Sequence, residues 1–149
     1  MRVIAFSNLK GGSSKTTSSL AVAAELARRG RRVLLVDLDP QATLTKSAGL
    51  DPSHAAAQYL KGEIDAEAAV LRPEGLWDKP LAENGGVLHL VPASRQLVQF
   101  EGQAVARLAN RLVALLDAVE ADYDFVVIDS PPQASALVTA TLASADEVY

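Results

Sequence analysis

The sequence contains no cysteine and few aromatic residues, and it has only a small excess of negative charge. The absence of cysteine excludes an iron–sulfur cluster held by thiolates and gives no support for a disulfide-stabilised fold. No run approaches the roughly 18 consecutive apolar residues of a membrane span. A net charge of −4 does not indicate a nucleic-acid-binding protein. With 49% hydrophobic but only 5% aromatic residues, the core is predicted to be aliphatic, as in a doubly wound sheet.

Length and pattern predict one α/β domain over residues 1–149. Short apolar runs alternate with segments of helical periodicity, which indicates right-handed βαβ units in a doubly wound, mostly parallel sheet. The predicted strands are 2–6, 32–37, 86–91, 124–129 and a strand that begins at 147. The predicted helices are 15–29, 41–48, 53–61, 65–71, 104–120 and 134–144.

Two of these helices carry regular apolar faces that are typical of core packing. The inner face of helix 15–29 is predicted to contain Leu20, Ala23, Ala24 and Ala27. That of helix 104–120 is predicted to contain Val105, Leu108, Leu112, Leu115 and Val119. Between them lies a more polar stretch, which we expect Trp77 to anchor on the domain.

A Gly-rich segment, residues 10–17, directly follows the first apolar strand and opens a predicted helix. This arrangement of strand, turn and helix is that of a phosphate-binding loop. The backbone amides of such a loop point at the anion, and Gly11 and Gly12 allow it to approach closely. Lys15 would reach the β- and γ-phosphates, and the hydroxyl of Thr16 would bind Mg²⁺.

Carboxylates stand at the ends of two further predicted strands. Asp37 and Asp39 follow the apolar run at 33–36, and Asp129 ends the run that begins at Phe125. Ligands bind beyond the carboxyl ends of strands in open α/β sheets. For a single strand-terminal aspartate a turn or capping role is the usual explanation. The phosphate loop and two acidic strand ends together favour a nucleotide site.

The segment Lys-Gly-Gly-Ser-Ser-Lys-Thr-Thr departs from the strict Walker pattern, because Leu9 and Ser14 stand where glycines are required. It resembles the deviant Walker A motif, KGGxxK[ST]T, of the ParA/MinD family of P-loop ATPases. The segment Asp-Leu-Asp-Pro-Gln at 37–41 resembles that of the ParA partition ATPases in particular. With the segments at 87–94 and 123–132, the resemblance covers nearly the whole chain.

This resemblance implies an ATP-hydrolysing dimer switch that uses Mg²⁺. The loop residues would bind the nucleotide: Lys10, Gly11, Gly12, Ser13, Ser14, Lys15, Thr16 and Thr17. By the family pattern Lys15 neutralises phosphate charge, Thr16 and Asp129 hold Mg²⁺, and Asp39 orients the attacking water, with Asp37 as the next candidate. Lys10 would reach the phosphates of the other subunit and act as an arginine finger does.

Many relatives have glycine where this chain has Ser14. A serine there would either restrict the loop or add a hydrogen bond through its hydroxyl. We therefore expect ATP turnover to be slow and to be stimulated by a partner.

The resemblance also implies partners and a cellular role. We expect an ATP-dependent homodimer, a ParB-like centromere-binding protein and nonspecific DNA, in the partitioning of a plasmid or chromosome. A cytoplasmic, nucleoid-associated location without membrane contact is expected. ParA-type chains continue beyond the strand that starts near Glu147. Residues 1–149 are thus expected to lack the C-terminal part, which in the family carries most DNA contacts and the adenine pocket.

Other functions remain open at this point. One is a membrane-associated positioning ATPase like MinD, which needs a C-terminal amphipathic helix. Others are a nucleotide-gated binding module without hydrolysis and a P-loop ligase resembling dethiobiotin synthetase. The basic residues around Gly30 are predicted to complement the end of a helix rather than to contact DNA; they are Arg28, Arg29, Arg31 and Arg32.

Overall fold

A computed structural model describes residues 1–8, 14–72 and 85–149 of the chain. Strands and helices alternate in it as the sequence predicts. The strands are β1 (Arg2–Phe6), β2 (Arg32–Asp37), β3 (Val87–Val91), β4 (Phe125–Asp129) and β5 (Glu147–Val148). The described helices are α1 (Lys15–Arg28), α2 (Thr43–Ser47), α3 (Ala55–Lys61), α4 (Ala66–Ala69), a 3-10 helix (Arg95–Phe100), α5 (Val105–Val119) and α6 (Ala136–Ser144).

All neighbouring strands in the sheet run parallel, in the order β3-β2-β4-β1-β5. The predicted doubly wound, parallel sheet is confirmed. In the register of the sheet, Asp129 is opposite Phe6 on β1 and opposite Asp37 on β2. Because parallel strands end at the same edge, the segments that follow β1, β2 and β4 meet at the carboxyl edge of the sheet.

Apolar side chains form a core on each face of the sheet. Strand β2 shows the division, since successive residues of a strand point to opposite faces. Leu34 and Val36 belong to the core covered by α5, whereas Val33 and Leu35 belong to the core covered by α1. The helices therefore lie on both faces, which defines the doubly wound architecture.

Helix α1 packs closely on the sheet, as its small residues predict. Ala23 and Ala27 are completely buried, and Leu20 and Ala24 pack partly buried against the same core. Near its end, α1 approaches the residue before β3 so closely that a Cβ atom on Gly86 would be 1.9 Å from the carbonyl oxygen of Ala27. This contact needs glycine at position 86.

The boundaries of other elements differ from the predictions for identifiable reasons. Helix α6 begins at Ala136 because the hydroxyl of Ser135 accepts a hydrogen bond from the amide of Val138. Helix α4 is shorter than predicted, because Val70 is extended and Leu71 forms an isolated antiparallel bridge with Leu90 on β3. The 3-10 helix was not predicted.

The predicted face of α5 is confirmed: Leu108, Leu112, Leu115 and Val119 are buried, and Val105 packs partly buried on the same core. Trp77 lies outside the described residues, so its anchoring role stays a prediction. None of the helices in the described ranges has both the length and the apolar character needed to cross a membrane.

Candidate functional site

The predicted phosphate loop joins β1 to α1 at the carboxyl edge of the sheet. Strand β1 ends at Phe6 and α1 begins at Lys15, so the loop lies between the strand and the amino end of the helix. Residues 9–13 are outside the described residues, and the roles of Lys10, Gly11, Gly12 and Ser13 stay predictions. The rest of the predicted site can be compared with the structure.

Ser14 adopts a left-handed backbone conformation, with φ of 61° and ψ of 17°. Its carbonyl accepts the amide of Ser18 at 2.8 Å, but its side chain makes no capping hydrogen bond with α1. A left-handed conformation costs a residue with a Cβ atom about 1–2 kcal/mol. The structure thus shows the backbone constraint expected at Ser14, whereas a hydrogen bond from its hydroxyl to a bound phosphate stays a prediction.

Lys15 and Thr16 occupy the first turn of α1. The ammonium group of Lys15 donates to the backbone carbonyl of Asn8 at 3.0 Å, across the start of the loop. The hydroxyl of Thr16 donates to Oδ2 of Asp129 at 2.7 Å. Thr17 is exposed in the same turn. The structure thus brings the predicted metal residues, Thr16 and Asp129, into direct contact.

Asp129 is buried, and no cationic side chain among residues 1–8, 14–72 and 85–149 bonds its carboxylate. Its other oxygen, Oδ1, is also buried and has no hydrogen-bond partner among the described residues. The pKa of Asp129 is raised to about 7, mainly by burial and also by the charges of Asp37 and Asp39, against the opposing effects of the Thr16 hydrogen bond and the charge of Lys15. An unsatisfied buried oxygen is rare in a folded protein and calls for a partner.

The donors at this place suit a magnesium ion. Mg²⁺ takes one or two protein oxygens and completes its shell with water and phosphate oxygens. Oδ1 of Asp129 accepts no hydrogen bond from the described part of the chain, and the hydroxyl of Thr16 donates to the other oxygen of the same carboxylate. The described residues contain no cluster of three or more His, Cys, Asp or Glu able to hold a metal. This agrees with a metal that needs phosphate oxygens as ligands.

Asp39 follows β2 at the same edge of the sheet and is 8% exposed. Its Oδ1 accepts the amide of Gln41 at 2.8 Å, and its carbonyl accepts the amide of Ala42 at 2.8 Å. These bonds make a tight turn in which Ala42 has a positive φ of 52°. Asp39 also lines a cavity of about 100 Å³ together with Pro131 and Pro132 of the segment after β4.

Asp37 is completely buried beneath this turn. It accepts hydrogen bonds from the amide of Asp39 and from the amide and hydroxyl of Thr45. Burial raises the pKa of Asp37 to about 6, although these hydrogen bonds oppose the rise. Thr45 is a residue that the sequence reasoning missed. Helix α2 has only five residues, too few to show a periodicity from which an inward-facing threonine could be recognised.

Backbone contacts hold the three strand ends together. The amide and hydroxyl of Ser130 both donate to the carbonyl of Phe6, at 3.2 and 3.0 Å. The amide of Leu38 donates to the carbonyl of Asp129 at 2.9 Å. The phosphate loop and the acidic segments therefore begin from positions fixed by hydrogen bonds.

The basic residues around Gly30 lie away from the site, at the other end of α1. Arg28 and Arg29 pair with Glu25, and Arg32 pairs with Asp124. Gly30 has the positive φ of 81° expected just after a helix. These pairs agree with the prediction that the cluster complements a helix end.

The comparison with known proteins agrees with this geometry. A family model described as an AAA domain matches residues 1–149. The chromosome-partitioning ATPase Soj of Thermus thermophilus is 39% identical over 149 residues, which cover 99% of this chain and 53% of that protein. The chromosome partitioning protein ParA of Myxococcus xanthus is 34% identical over 155 residues, which cover 99% of this chain and 50% of that protein. The chain spans about half the length of the curated relatives it matches.

A solved structure gives the same result for the fold. A crystal structure described as cobyrinic acid a,c-diamide synthase from Mycobacterium smegmatis, with bound ATP analogue and magnesium, superposes with a TM-score of 0.84. Its sequence is 36% identical, and the match covers 99% of this chain and 58% of that one. The ATP analogue and magnesium bound in that structure are the same kinds of ligand that the phosphate loop and the acidic strand ends predict for this chain.

Proposed function

We propose, from the fact that this chain belongs to the ParA-type family of AAA-domain proteins, that it is the nucleotide-binding part of an ATP-driven switch that partitions DNA. The observation that carries the proposal is the contact of Thr16, at the start of α1, with the buried Asp129. The hydroxyl bonds one oxygen of the carboxylate where the phosphate loop enters its helix, and the other oxygen has no partner among the described residues. That is the pair of protein ligands that a P-loop ATPase needs for Mg²⁺.

Each residue has a defined part in the proposed reaction. Lys15 binds the phosphate oxygens and balances their charge, and the amides at the start of α1 contribute their positive dipole. Thr16 and Asp129 hold Mg²⁺. When bound, the ion neutralises charge on the β- and γ-phosphates. Asp39 orients the water that attacks the γ-phosphorus, and ADP leaves.

Lys10 and dimerisation complete the proposal. In the deviant Walker A motif that this loop resembles, Lys10 is a second lysine with a role apart from that of Lys15. From the partner subunit it would stabilise charge on the transferring phosphoryl group, so that assembly and hydrolysis are coupled. We propose that hydrolysis is slow in isolation, in keeping with the constrained backbone of Ser14. A ParB-like protein would accelerate it.

The DNA-partitioning role is supported by the relatives. The two proteins named above are described as partitioning a chromosome. We propose that the dimer binds nonspecific DNA through regions mostly outside residues 1–149, and that the protein acts at the nucleoid in the cytoplasm. The negative net charge of these residues and the ion-paired arginines near Gly30 agree with a DNA surface elsewhere.

A second candidate is a small-molecule ligase. It is favoured by one observation, the description of the 36% identical Mycobacterium smegmatis structure as a diamide synthase. Such an enzyme would use the same phosphate and metal residues to transfer the γ-phosphate of ATP to a carboxylate, releasing ADP, and an amine would then displace the phosphate to form an amide. DNA would not affect its rate.

The test is ATP hydrolysis with Mg²⁺, in the presence and absence of nonspecific DNA and of a ParB-like protein. The partition switch predicts stimulation by both additions. Asp39→Ala should still bind ATP and accumulate the ATP-bound dimer, because only the chemical step is blocked. Asp117→Ala, which alters an exposed carboxylate on α5, is the matched control and should behave as wild type. Hydrolysis that needs a small carboxylate or amine substrate, and ignores DNA, would favour the ligase.

A further inference from the structure

One buried carboxylate has no part in the proposed binding of phosphate or metal. Asp37 is 0% exposed and accepts three hydrogen bonds, all from protein donors. One oxygen accepts the amide of Asp39 at 3.1 Å. The other accepts the amide and the hydroxyl of Thr45 at 2.9 and 2.7 Å. Both oxygens of Asp37 are therefore used within the protein.

These bonds close the segment 38–45 into a loop. The same carboxylate holds its beginning, through Asp39, and its end, through Thr45. Inside the loop, Ala42 has a positive φ of 52°, which is unfavourable for a residue with a Cβ atom. Such a conformation persists only when the surrounding contacts enforce it. Asp37 supplies contacts of this kind on both sides of Ala42.

Thr45 extends the connection to a third segment. Its hydroxyl donates to Asp37 and also accepts the amide of Ala93 at 3.1 Å, just beyond β3. The side chain of Thr45 is completely buried. The end of β2, the start of α2 and the segment after β3 thus share one polar network beneath Asp39.

We propose that Asp37 is a positioning residue for ATP hydrolysis: with Thr45 it fixes the loop 38–45, so that Asp39 is held facing the reacting water. The proposal rests on the ATPase function proposed above. A buried carboxylate without a cation is an unfavourable way merely to fill a core. The raised pKa of Asp37, caused mainly by burial, reflects this cost. A need to hold Asp39 in one position during the reaction explains why this buried carboxylate is present.

The experiment compares four variants with the wild-type protein. Asp37→Asn keeps the shape of the side chain but replaces one acceptor oxygen with a donor group. Thr45→Val keeps the shape of the threonine but removes its hydroxyl, and Thr45→Ser restores a hydroxyl. Thr141→Val is the matched control, because Thr141 is equally buried but its hydroxyl donates to Leu137 within α6.

For each variant, kcat and KM for ATP are measured, together with thermal unfolding and amide hydrogen exchange at Asp39, Thr45 and Ala93. We expect kcat to fall about 10- to 100-fold in Asp37→Asn and less in Thr45→Val, because a small misplacement of a reacting group has effects of this size. KM should change less than about threefold. Thr45→Ser should recover most of the lost rate, and exchange should accelerate at the three amides only where the rate is lost.

Several outcomes would overturn the inference. One is a folded Asp37→Asn or Thr45→Val protein with the kcat of wild type. Another is a rate loss of equal size in Thr141→Val, which would mark a general effect of losing a buried hydroxyl. A changed requirement for Mg²⁺ in Asp37→Asn would make Asp37 a metal ligand instead. Should Asp37→Asn fail to fold, the three threonine variants decide the question.

The wild-type protein separates this inference from the function on which it rests. If wild type hydrolyses ATP and the variants do so equally well, only the positioning role is wrong. If wild type hydrolyses no ATP with Mg²⁺, DNA and partner present, the proposed function fails and the positioning role fails with it.

Discussion

The two edges of the sheet use carboxylates in opposite ways. At the amino edge, Glu25 and Asp124 are hydrogen-bonded to arginines, and these bonds lower the pKa of Glu25 to about 2 and lower that of Asp124 as well. At the carboxyl edge, Asp37 and Asp129 are buried and have no cation bonded from the described part of the chain, and burial is the main cause that raises their pKa values, to about 6 and about 7.

This difference distinguishes an edge whose charges favour folding from an edge at which we expect a ligand to bind. Exposed ion pairs stabilise the folded state, although each contributes little. Buried carboxylates that face each other oppose folding, so they indicate a function. The charge that is lacking at the carboxyl edge is the one that Mg²⁺ and Lys15 would supply to a bound nucleotide.

The sharpest test of the comparison is the pH dependence of stability in the metal-free protein. With its pKa raised from 3.8, folded Asp129 holds its proton more tightly than the unfolded chain does. Its contribution to stability is therefore present at low pH and is lost as the pH rises through about 7. For this pKa the loss between pH 4 and 7 is at most about 4 kcal/mol.

Asp129→Asn should remove this loss, as measured by urea unfolding at several pH values. Asp124→Asn is the matched control at the amino edge. Because the folded pKa of Asp124 is lowered, the stability that it contributes is lost as the pH falls, so this variant should alter the profile only at acid pH. If the two variants changed the profile in the same direction, the contrast between the edges would be wrong.

Lys15→Ala should weaken Mg-ATP binding by about 2–4 kcal/mol, because it removes a charged hydrogen bond to phosphate in a partly desolvated place. Titration of a fluorescent ATP analogue measures the effect. Lys61→Ala, which breaks an ion pair between the last residue of α3 and Glu63 beyond it, should bind as wild type. Equal affinity of wild type and Lys15→Ala for the ATP analogue would mean that the segment 10–17 is not a phosphate-binding loop.

Ser14→Gly should change stability by about 1 kcal/mol or less, and in the stabilising direction. Glycine adopts a positive φ without strain, while the greater freedom of the unfolded chain cancels part of the gain. Ser18→Gly, at the fourth residue of α1, where the backbone is helical, should instead destabilise by about 0.5–1 kcal/mol. Denaturant unfolding of the two variants gives this comparison. Equal destabilisation would show that Ser14 is not strained.

The smallest effect is expected at the amino edge. Arg32→Ala removes the ion pair with Asp124, in which the two side chains are 44% and 33% exposed. Exposed pairs contribute about 0.2–1 kcal/mol and are screened by salt. The loss of stability should therefore shrink at 1 M salt. A large, salt-independent loss would mean that the amino edge also depends on specific polar contacts.

The sequence predicted the features that depend on pattern. The apolar runs identified the strands, and the spacing of Ala23, Ala27, Leu108 and Leu112 identified the buried faces of two helices. The contact of Thr16 with Asp129 agrees with the metal pair that motif and strand end indicated.

What the sequence could not show depends on contacts between distant segments. The hydrogen bonds that join Asp37, Thr45 and Ala93 connect three segments, and no local pattern records them. The bridge between Leu71 and Leu90 ended α4 early for the same reason, since pairing with β3 overrode the helical preference of the segment. A left-handed backbone at a residue other than glycine, such as Ala42, also cannot be recognised from the sequence.

Helix α1 connects the contact between Gly86 and Ala27 to the predicted nucleotide site. The helix has 14 residues and is thus about 21 Å long. At one end the carbonyl of Ala27 meets Gly86, where even an alanine would collide with backbone. At the other end are Lys15 and Thr16. We expect a side chain at position 86 to displace the helix from the sheet, and with it Lys15 and Thr16 at the far end, so that nucleotide binding weakens.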